Sequence, residues 1–465
     1  MISNKKYKRS IFIFHRNFRL DDNLGLLNAA NLSSEIILIF IFTPNQIEKQ
    51  NKFKSERATK FMIECLQDLK DQTKKIGGKI YTFYGENKKI ITNLIKEEKI
   101  EAVFSNKDYT PFARNRDDQI IQLSKKLNFD FQTIDDSLLN NPESIKSKDG
   151  KIFKRFSFYY KNASILPPPL PTRLEQELKK SKCNFFNKKL KSNKFEINEK
   201  DFSKFYFYKE NLIIKSGRHE GLNILKNLDK NFSNYADTIK NISKHKTTML
   251  SAYIKFGVIS IREVFYAAKK IKNLKSRESL IRQLYWHDFF YYIAYHFPFV
   301  FGKNLTPTIW WDKEVAAKSK SQTSKTLNLW RNGETGFPII DSTMRELKQT
   351  GYISNKLRLI VANFLTQILL IDWREGEKYF AQNLIDYDPA INNGNWQWTA
   401  GVGTDYYKHR IFNPWTQQKK LDPKCEYIKK WIPEIKSIEN KDLHNWYKNW
   451  NQYKNIKYPR PIINF

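Results

Sequence analysis

The segment I-I-L-I-F-I-F, residues 36–42, is the longest aliphatic run in the chain and decides how its first third is interpreted. It is far too short to span a bilayer, so it predicts a strand that is buried on both faces of a sheet. Other apolar runs precede and follow it, with helical spacing between them, as in residues 58–70. This alternation predicts a parallel, doubly wound α/β sheet. The predicted strands are S-I-F-I-F (10–14), I-I-L-I-F-I-F (36–42), K-I-Y-T-F-Y (79–84), E-A-V-F-S (101–105) and F-D-F-Q-T-I (129–134).

The pattern changes after the last of these strands. Residues 137–205 contain L-P-P-P-L-P (166–171) and a Lys/Asn-rich stretch, which together predict a semi-rigid linker. Amphipathic stretches broken by Gly, Pro and Asn follow and predict an all-helical region. We therefore expect an α/β domain at residues 1–136, a linker at 137–205 and a helical domain at 206–465. Neither G-x-G-x-x-G nor G-x-x-x-x-G-K-[ST] follows a predicted strand, which argues against a standard dinucleotide fingerprint or a P-loop.

The net charge favours a protein that binds polyanions, and the cysteine content argues against a disulfide-linked or metal-binding protein. The 465-residue chain has a formal net charge of +33, which attracts polyanions such as nucleic acid, although a solvated Lys-rich surface is the alternative. Cys65, Cys183 and Cys425 form no C-x-x-C pair, so we expect no disulfide framework, zinc site or iron–sulfur cluster, and no metal. No signal peptide or transmembrane segment is recognised. We expect a monomer without a membrane partner, in a reducing cytoplasmic or nuclear compartment.

Two tryptophans stand one residue apart in N-N-G-N-W-Q-W-T-A-G-V-G-T-D, residues 392–405. Successive helical residues turn by about 100°, so Trp396 and Trp398 would point in nearly opposite directions. Asn392 lies one turn before Trp396 and shares its side. One indole can then face inward while the other faces a cavity. The alternative is two core tryptophans that serve different layers.

Polar residues near this segment suggest a ligand site. Asp386 and Asp388 suit a ligand with N–H and hydroxyl donors, or act as ordinary helix caps. Asn355 and Arg358 share one face of an apolar helix and need partners if they are buried. The first or second Thr of T-T-M-L-S (247–251) is a candidate N-cap for a helix whose free N–H groups could bind phosphate, and a plain capped helix is the alternative.

These motifs, in this order, resemble the photolyase/cryptochrome family over nearly the whole chain, and most closely the class I cyclobutane pyrimidine dimer photolyases. The resemblance implies an α/β antenna domain followed by a helical FAD-binding domain. It also implies light-driven repair of UV-damaged DNA, in which reduced FAD passes an electron to a flipped-out cyclobutane pyrimidine dimer. The motifs that carry it are H-R-N-F-R-L-D-D-N-L (15–24), D-W-R-E-G-E (372–377), D-Y-D-P-A-I-N-N-G-N-W-Q-W (386–398), R-I-F-N-P (410–414) and Y-P-R-P-I-I (458–463).

The resemblance also implies roles for individual residues. Arg358 and Asp386 would form an ion pair beside the isoalloxazine, and Asn392 would face flavin N5. The implied FAD-binding residues are Tyr235, Thr247, Thr248, Met249, Leu250, Ser251, Gln283, His287, Asn355, Arg358, Asp386, Asp388 and Asn392. The implied catalytic residues are the electron chain of Trp396, Trp373 and, as its third member, Trp311, together with Asn392, Gln283 and Asn355. The implied lesion-binding residues are Gln283, Trp286, Asn355, Lys356, Leu359 and Trp398.

Some positions depart from the family pattern and leave the lesion open. Gln283 stands where dimer photolyases of this type have Glu, and Gln occurs there in (6-4) photolyases. Those enzymes need histidines on the Asn355 helix, which has none, and Asn355 itself resembles the dimer photolyases. Lys356, Leu359 and His287 replace Arg, Met and Arg. The alternatives are therefore (6-4) photoproduct repair or a cryptochrome-type blue-light receptor without repair.

The antenna chromophore is also open. Folate-binding members of the family have an Asn-Glu pair where this chain has Phe112 and Ala113, so a folate antenna is disfavoured. A deazaflavin, a second flavin and no antenna are the remaining alternatives.

Overall fold

The computed structural model describes most of the chain, in segments of different length. They are residues 5–191, 194–239, 241–243, 247–307, 315, 320–404 and 410–464.

A parallel sheet forms the N-terminal layer and confirms the predicted α/β class. Five strands lie in the order β3-β2-β1-β4-β5, and the short β6 pairs with the start of β2. Parallel pairing aligns Phe12 with Leu38, and both side chains are fully buried because helices cover the two faces of the sheet. The strands are β1 Tyr7–Phe14, β2 Ser33–Phe42, β3 Ile80–Tyr84, β4 Ala102–Asn106, β5 Asp130–Ile134 and β6 Asn184–Phe185.

Helices alternate with the strands and then dominate the rest of the chain. Those between and after the first strands are Leu24–Leu32, Pro44–Ile47, Glu56–Lys75, Asn87–Glu98 and Pro111–Leu127. The later α-helices are Phe156–Ala163, Leu174–Ser181, Arg218–Lys226, Leu228–Phe232, Tyr235–Thr238, Leu250–Lys255, Ile261–Ala268, Leu274–His296, Lys320–Asn332, Pro338–Thr350, Asn355–Asn363, Trp373–Asn383, Pro389–Ala400, Pro414–Leu421, Glu426–Trp431, Asn440–His444 and Trp446–Asn449. Short 3₁₀ segments cover Pro142–Ser144, Glu199–Phe205, Pro298–Val300, Pro433–Ile435 and Trp450–Tyr453, and a π-helical turn covers Phe364–Ile368.

Buried ion pairs join the sheet to the helical region. The Arg262 guanidinium donates to the carboxylates of Asp22 at 3.0 Å and Asp136 at 2.8 Å, and the three side chains are almost completely buried. Burying such charges is tolerated only when each has a partner, so this junction fixes one layer against the other. Gly257, at φ 60°, adds a close approach, since a Cβ there would lie 2.3 Å from the Arg16 carbonyl oxygen. The junction therefore holds Arg16 against the helical region.

The segment that we predict to be a linker contains both helix and strand. Its helix Phe156–Ala163 packs against the long helix Leu274–His296, and its strand β6 extends the sheet. The domain boundaries at residues 136 and 205 stay a prediction. Within the described segments, no helix is both long and apolar enough to cross a membrane.

Candidate active site

A cavity of about 440 Å³ lies within the helical region. Helices Leu250–Lys255, Leu274–His296, Asn355–Asn363 and Pro389–Ala400 contribute much of its wall. Concave sites of this size, apolar with a few convergent polar groups, are typical of ligand pockets. The predicted site residues that line it are Tyr235, Thr247, Thr248, Met249, Leu250, Ser251, Gln283, Trp286, His287, Asn355, Arg358, Leu359, Asp386, Asp388, Asn392, Trp396 and Trp398.

Two predicted residues that the structure describes are not among the cavity lining, and a third lies outside the described residues. Trp373 is fully buried in the neighbouring core, where its Nε1 donates a hydrogen bond to Asn304 Oδ1 at 2.9 Å. Lys356 is exposed to solvent. Trp311 lies outside the described residues. The order of the electron chain beyond Trp396 therefore stays a prediction.

The two tryptophans of W-Q-W have different surroundings. Trp396 is 2% exposed and meets Phe380 edge to face, with ring centroids 5.0 Å apart. Trp398 is only partly buried, and the Arg410 guanidinium lies over its ring at 4.7 Å. Their surroundings differ, as expected for helical residues that point in nearly opposite directions, but both side chains line the cavity, whereas only one was expected to face it.

Gly376 packs so closely against Trp396 that it allows a test of this arrangement. A Cβ at Gly376 would lie 2.1 Å from Trp396 Cη2. Gly376→Ala is therefore expected to overpack the core and lower the unfolding free energy by about 1–3 kcal/mol, measured by urea denaturation. Adding Trp396→Phe should recover part of the loss because the smaller ring leaves room. An unchanged midpoint for Gly376→Ala would contradict this packing.

A buried ion pair holds the centre of the cavity wall. Arg358 Nη2 donates to both carboxylate oxygens of Asp386, at 3.0 and 2.9 Å, and Ser251 Oγ donates to the same carboxylate at 2.6 Å. Burial opposes the charged form of Arg358, but the Asp386 carboxylate outweighs it and raises the pKa of Arg358. The wall therefore presents a fixed, charged pair among both apolar and polar side chains.

Asp388 lines the cavity and also accepts hydrogen bonds that stabilise the fold around it. Its Oδ1 accepts from the backbone N–H groups of Ala390 and Ile391 at 3.0 and 3.1 Å, which caps helix Pro389–Ala400. Its Oδ2 accepts from Arg16 and Tyr291, so it also ties the helical region to the end of β1. Burial opposes ionisation of Asp388, but the Arg16 charge prevails and lowers its pKa. Our set of site residues omits Arg16, although it lies in the motif at residues 15–24.

The predicted N-cap of the T-T-M-L-S helix is wrong. The helix begins at Leu250, and its N-cap is Met249, which is in the left-handed region at φ 52° and has no side-chain cap. Thr247 Oγ1 instead accepts from the backbone N–H of Met249 at 3.3 Å and contacts the Tyr352 hydroxyl at 2.9 Å. The positive φ of Met249 delays the helix start by one or two residues relative to the predicted cap.

One buried polar atom of the cavity lining has no protein partner within the described segments, as expected of a site for a polar ligand. Ser354 Oγ is buried without a hydrogen-bond partner within the described segments. A buried polar group of this kind carries an energetic cost unless a ligand or water satisfies it. The Asn392 amide donates to the Glu377 carbonyl at 3.5 Å, and its side chain also lines the cavity. Together with the Arg358–Asp386 pair, these groups fit a flavin dinucleotide, which offers both an apolar ring system and many polar atoms.

Comparisons with known proteins agree with this geometry. Residues 280–465 match a family model described as the FAD binding domain of DNA photolyase, and residues 10–175 match the DNA photolyase model. The deoxyribodipyrimidine photo-lyase of Buchnera aphidicola subsp. Baizongia pistaciae is 34% identical, over 97% of this chain and 94% of the relative. The chain belongs to the photolyase/cryptochrome family. The deoxyribodipyrimidine photo-lyase of Synechococcus is 30% identical, over 98% of this chain and 93% of its own.

Solved structures of photolyases share the whole fold. The archaeal photolyase from Sulfolobus tokodaii, described with two FAD molecules, is 35% identical with a TM-score of 0.83, over 98% of this chain and 96% of its own. A Synechocystis cryptochrome at 23% identity has a TM-score of 0.84, over 99% of this chain and 97% of its own, and shows likeness of fold alone. The α/β region followed by a helical region is thus the architecture of a photolyase.

The buried carboxyl group of Glu377, whose backbone carbonyl accepts from the Asn392 amide, predicts a pH dependence of stability. Burial raises the pKa of its carboxyl to about 8, so between about pH 5 and 8 the folded protein keeps a proton that the unfolded chain releases. The unfolding free energy should therefore fall as the pH rises through this range. Glu377→Gln should flatten the profile by at most about 1.4 kcal/mol per pH unit, measured by urea denaturation across the range. Parallel profiles for the two proteins would contradict this assignment.

Proposed function

We propose that this protein repairs cyclobutane pyrimidine dimers in DNA with light, through an FAD held in the cavity. One observation carries the proposal: a single cavity combines the Arg358–Asp386 pair and Asn392 with two aromatic side chains, Trp286 and Trp398. The first group suits a flavin, and the two indoles suit a flipped-out pyrimidine dimer. Relatives named deoxyribodipyrimidine photo-lyase, up to 34% identical over nearly the full length, support it.

The FAD would supply the light-excited electron that splits the dimer, and the chain's own residues provide binding and orientation. Arg358, Asp386 and Asn392 would hold the flavin ring system. The T-T-M-L-S segment (247–251), whose helix start has no side-chain cap, would bind the phosphates and ribityl chain. Trp396, buried against Phe380, would donate the electron that brings the flavin to its reduced state. The apolar part of the lining, such as Phe380 and Ile391, would limit the water near these groups.

Trp286 and Trp398 would receive the lesion. Extruding it from the duplex costs a few kcal/mol, and less when the DNA is already distorted. Stacking on aromatic side chains returns about 1–3 kcal/mol per base. The net charge of +33 attracts the DNA backbone, and the exposed Lys356 suits a phosphate contact, so binding should weaken steeply with salt.

The choice of lesion depends on Gln283 and Asn355. Both line the cavity, and a Gln amide can donate a hydrogen bond to a base carbonyl but cannot supply a proton. Gln283 favours (6-4) photoproduct repair as the second candidate, whereas the Asn355 helix, which has no histidine, favours cyclobutane dimers. We give the Asn355 helix more weight because a (6-4) mechanism depends on histidine acid–base chemistry.

A comparison of two lesions tests this choice. Flavin-loaded, reduced protein is illuminated with oligonucleotides that carry either a cyclobutane thymine dimer or a (6-4) photoproduct, and restored thymines are quantified by chromatography. We expect light-dependent restoration of the cyclobutane dimer alone. Restoration of the (6-4) lesion alone would show that Gln283 marks the substrate. Restoration of neither, with flavin bound, would favour a cryptochrome-type receptor.

We also propose a flavin as the second chromophore, supported by the archaeal relative described with two FAD molecules. A small cavity of about 10 Å³, lined in part by His15, Arg16 and Asp108, lies at the carboxyl ends of β1 and β4. It is too small for a flavin unless side chains move. Two flavins per chain, released by heat and quantified, would support the proposal, and one would contradict it.

Compartment and assembly are proposals of the same kind. A monomer in a reducing, DNA-containing compartment suits the three cysteines, which are buried and free. Burial raises the pKa of the Cys183 thiol to about 12, so this thiol is poorly reactive.

A further inference from the structure

An aromatic residue from the segment between the sheet and the helical region covers one face of Trp286. The rings of Phe156 and Trp286 lie almost parallel, 8° apart, with centroids separated by 3.6 Å. Phe156 is 2% exposed, although it begins the short helix Phe156–Ala163 in an otherwise Lys-rich segment. Trp286 also has Phe290 nearby, with ring centroids 5.7 Å apart. The contact with Phe156 is therefore the closer of these two aromatic contacts.

A cation covers the other side of Phe156. The Arg282 guanidinium carbon lies 4.9 Å from the Phe156 ring centroid and 5.0 Å from that of Tyr160. Because Trp286 occupies one face of Phe156 at 3.6 Å, the guanidinium lies toward the remaining face, next to the Tyr160 ring, which is itself stacked against Phe156 with ring centroids 5.6 Å apart. Arg282 and Trp286 are four residues apart on helix Leu274–His296, so their side chains project to the same side and Phe156 inserts between them. Three layers result, in the order Arg282, Phe156, Trp286.

We propose that Phe156 is a positioning residue for the lesion: it fixes the plane of the Trp286 indole in the cavity and holds Arg282 at the rim for a DNA phosphate. This inference rests on the proposed repair function. Trp286 itself is partly exposed and lines the cavity, so without a ring behind it the indole would have to be ordered when the lesion binds. Arg282 is exposed, and its planar guanidinium can stack on a ring while its N–H groups stay free for phosphate.

The alternative is that Phe156 is only a structural residue of the core. The two roles predict different effects of removing the ring. Loss of a purely structural residue would change only the stability of the protein. A positioning residue changes the preference for damaged over intact DNA, because only the flipped lesion uses the Trp286 indole, while intact DNA uses the charged surface.

Phe156→Leu tests the inference, with Phe158→Leu on the same helix as a matched control because Phe158 is 54% exposed. Dissociation constants are measured in the dark, with flavin-loaded protein, for an oligonucleotide with one cyclobutane dimer and for the same sequence undamaged. Affinity for the dimer should fall about three- to tenfold in Phe156→Leu, while affinity for intact DNA and flavin content stay unchanged. Phe156→Tyr should retain most of the preference, and Phe158→Leu all of it.

A second measurement covers the case in which Phe156→Leu does not fold. Arg282→Met removes the outer layer without leaving a buried void. Protein labelled with 5-fluorotryptophan gives a fluorine resonance for Trp286, assigned with Trp286→Phe. We expect this resonance to broaden or shift in Arg282→Met, and affinity for both DNAs to fall.

The outcomes separate this inference from the proposed function. A Phe156→Leu protein with the wild-type preference for the dimer, or with equal losses for both DNAs, would overturn the positioning role. So would a Trp286 resonance that Arg282→Met leaves unchanged. If the wild-type protein itself does not prefer the dimer, the proposed function fails, and the fluorine measurement still tests the three-layer stack.

Discussion

Asp386→Asn is expected to yield a folded protein that no longer retains FAD. The Asp386 carboxylate is 6% exposed and accepts from Arg358 and Ser251. Asn keeps the shape but removes the charge, which leaves the Arg358 guanidinium buried without its counter-charge. Breaking one side of a buried pair costs about 3–5 kcal/mol, so flavin affinity should fall by roughly two to four orders of magnitude. Flavin absorbance per protein after gel filtration measures it.

Glu375→Gln is the matched control for this substitution. It makes the same acid-to-amide change in an ion pair, because Glu375 pairs with Arg331 at 3.0 Å, but the Glu375 side chain is 45% exposed and lies outside the cavity lining. Exposed pairs contribute about 0–1 kcal/mol, so Glu375→Gln should keep its flavin. Full flavin content in Asp386→Asn would show that the pair does not hold the cofactor.

The second large effect is that substitutions of Trp396 and Trp398 should each abolish or weaken a different property of the protein. Trp396→Phe should largely abolish light-driven reduction of the bound flavin, since phenylalanine is far harder to oxidise, while affinity for the dimer stays near that of the wild type. Trp398→Ala should do the reverse. Loss of one stacking wall costs about 1–3 kcal/mol, or roughly five- to 150-fold in affinity for the dimer, with flavin reduction intact.

Flavin absorbance during illumination with a thiol donor measures the first property, and a dark titration with dimer-containing DNA measures the second. Each variant is the control for the other, because both remove an indole from helix Pro389–Ala400. If both variants lose both properties, the two tryptophans do not have separate roles. If Trp396→Phe still reduces its flavin in light, electrons reach the cavity without Trp396.

Residues close together in sequence could be interpreted before the structure. The fixed turn per residue of a helix predicts that the side chains of Trp396 and Trp398 point in different directions. The continuous apolar runs predict the strands of the sheet because strands buried on both faces are apolar along their whole length. Local rules also failed once, at Met249, whose left-handed backbone delays the helix start. Nothing in the neighbouring sequence indicates that backbone conformation.

Contacts between distant segments could not be predicted from periodicity. Arg16 forms an ion pair with Asp388, which is 372 residues away in the sequence. The motif that contains Arg16 gives no indication of this partner. Phe156 stands in a segment whose Pro and Lys content indicates a connector, yet its ring packs on Trp286. Such contacts depend on how layers assemble, and a helical or strand pattern reports only which face of an element is buried.

One measurement tests the central claim most directly: the number of cyclobutane dimers restored per flavin under blue light, starting from reduced protein with no further reductant. A lyase returns the electron after each split, so we predict many dimers restored per flavin in light and none in the dark. No restoration in light by protein that has bound reduced flavin would contradict repair. Restoration that stops at one dimer per flavin would show that the electron is consumed, which contradicts a lyase mechanism.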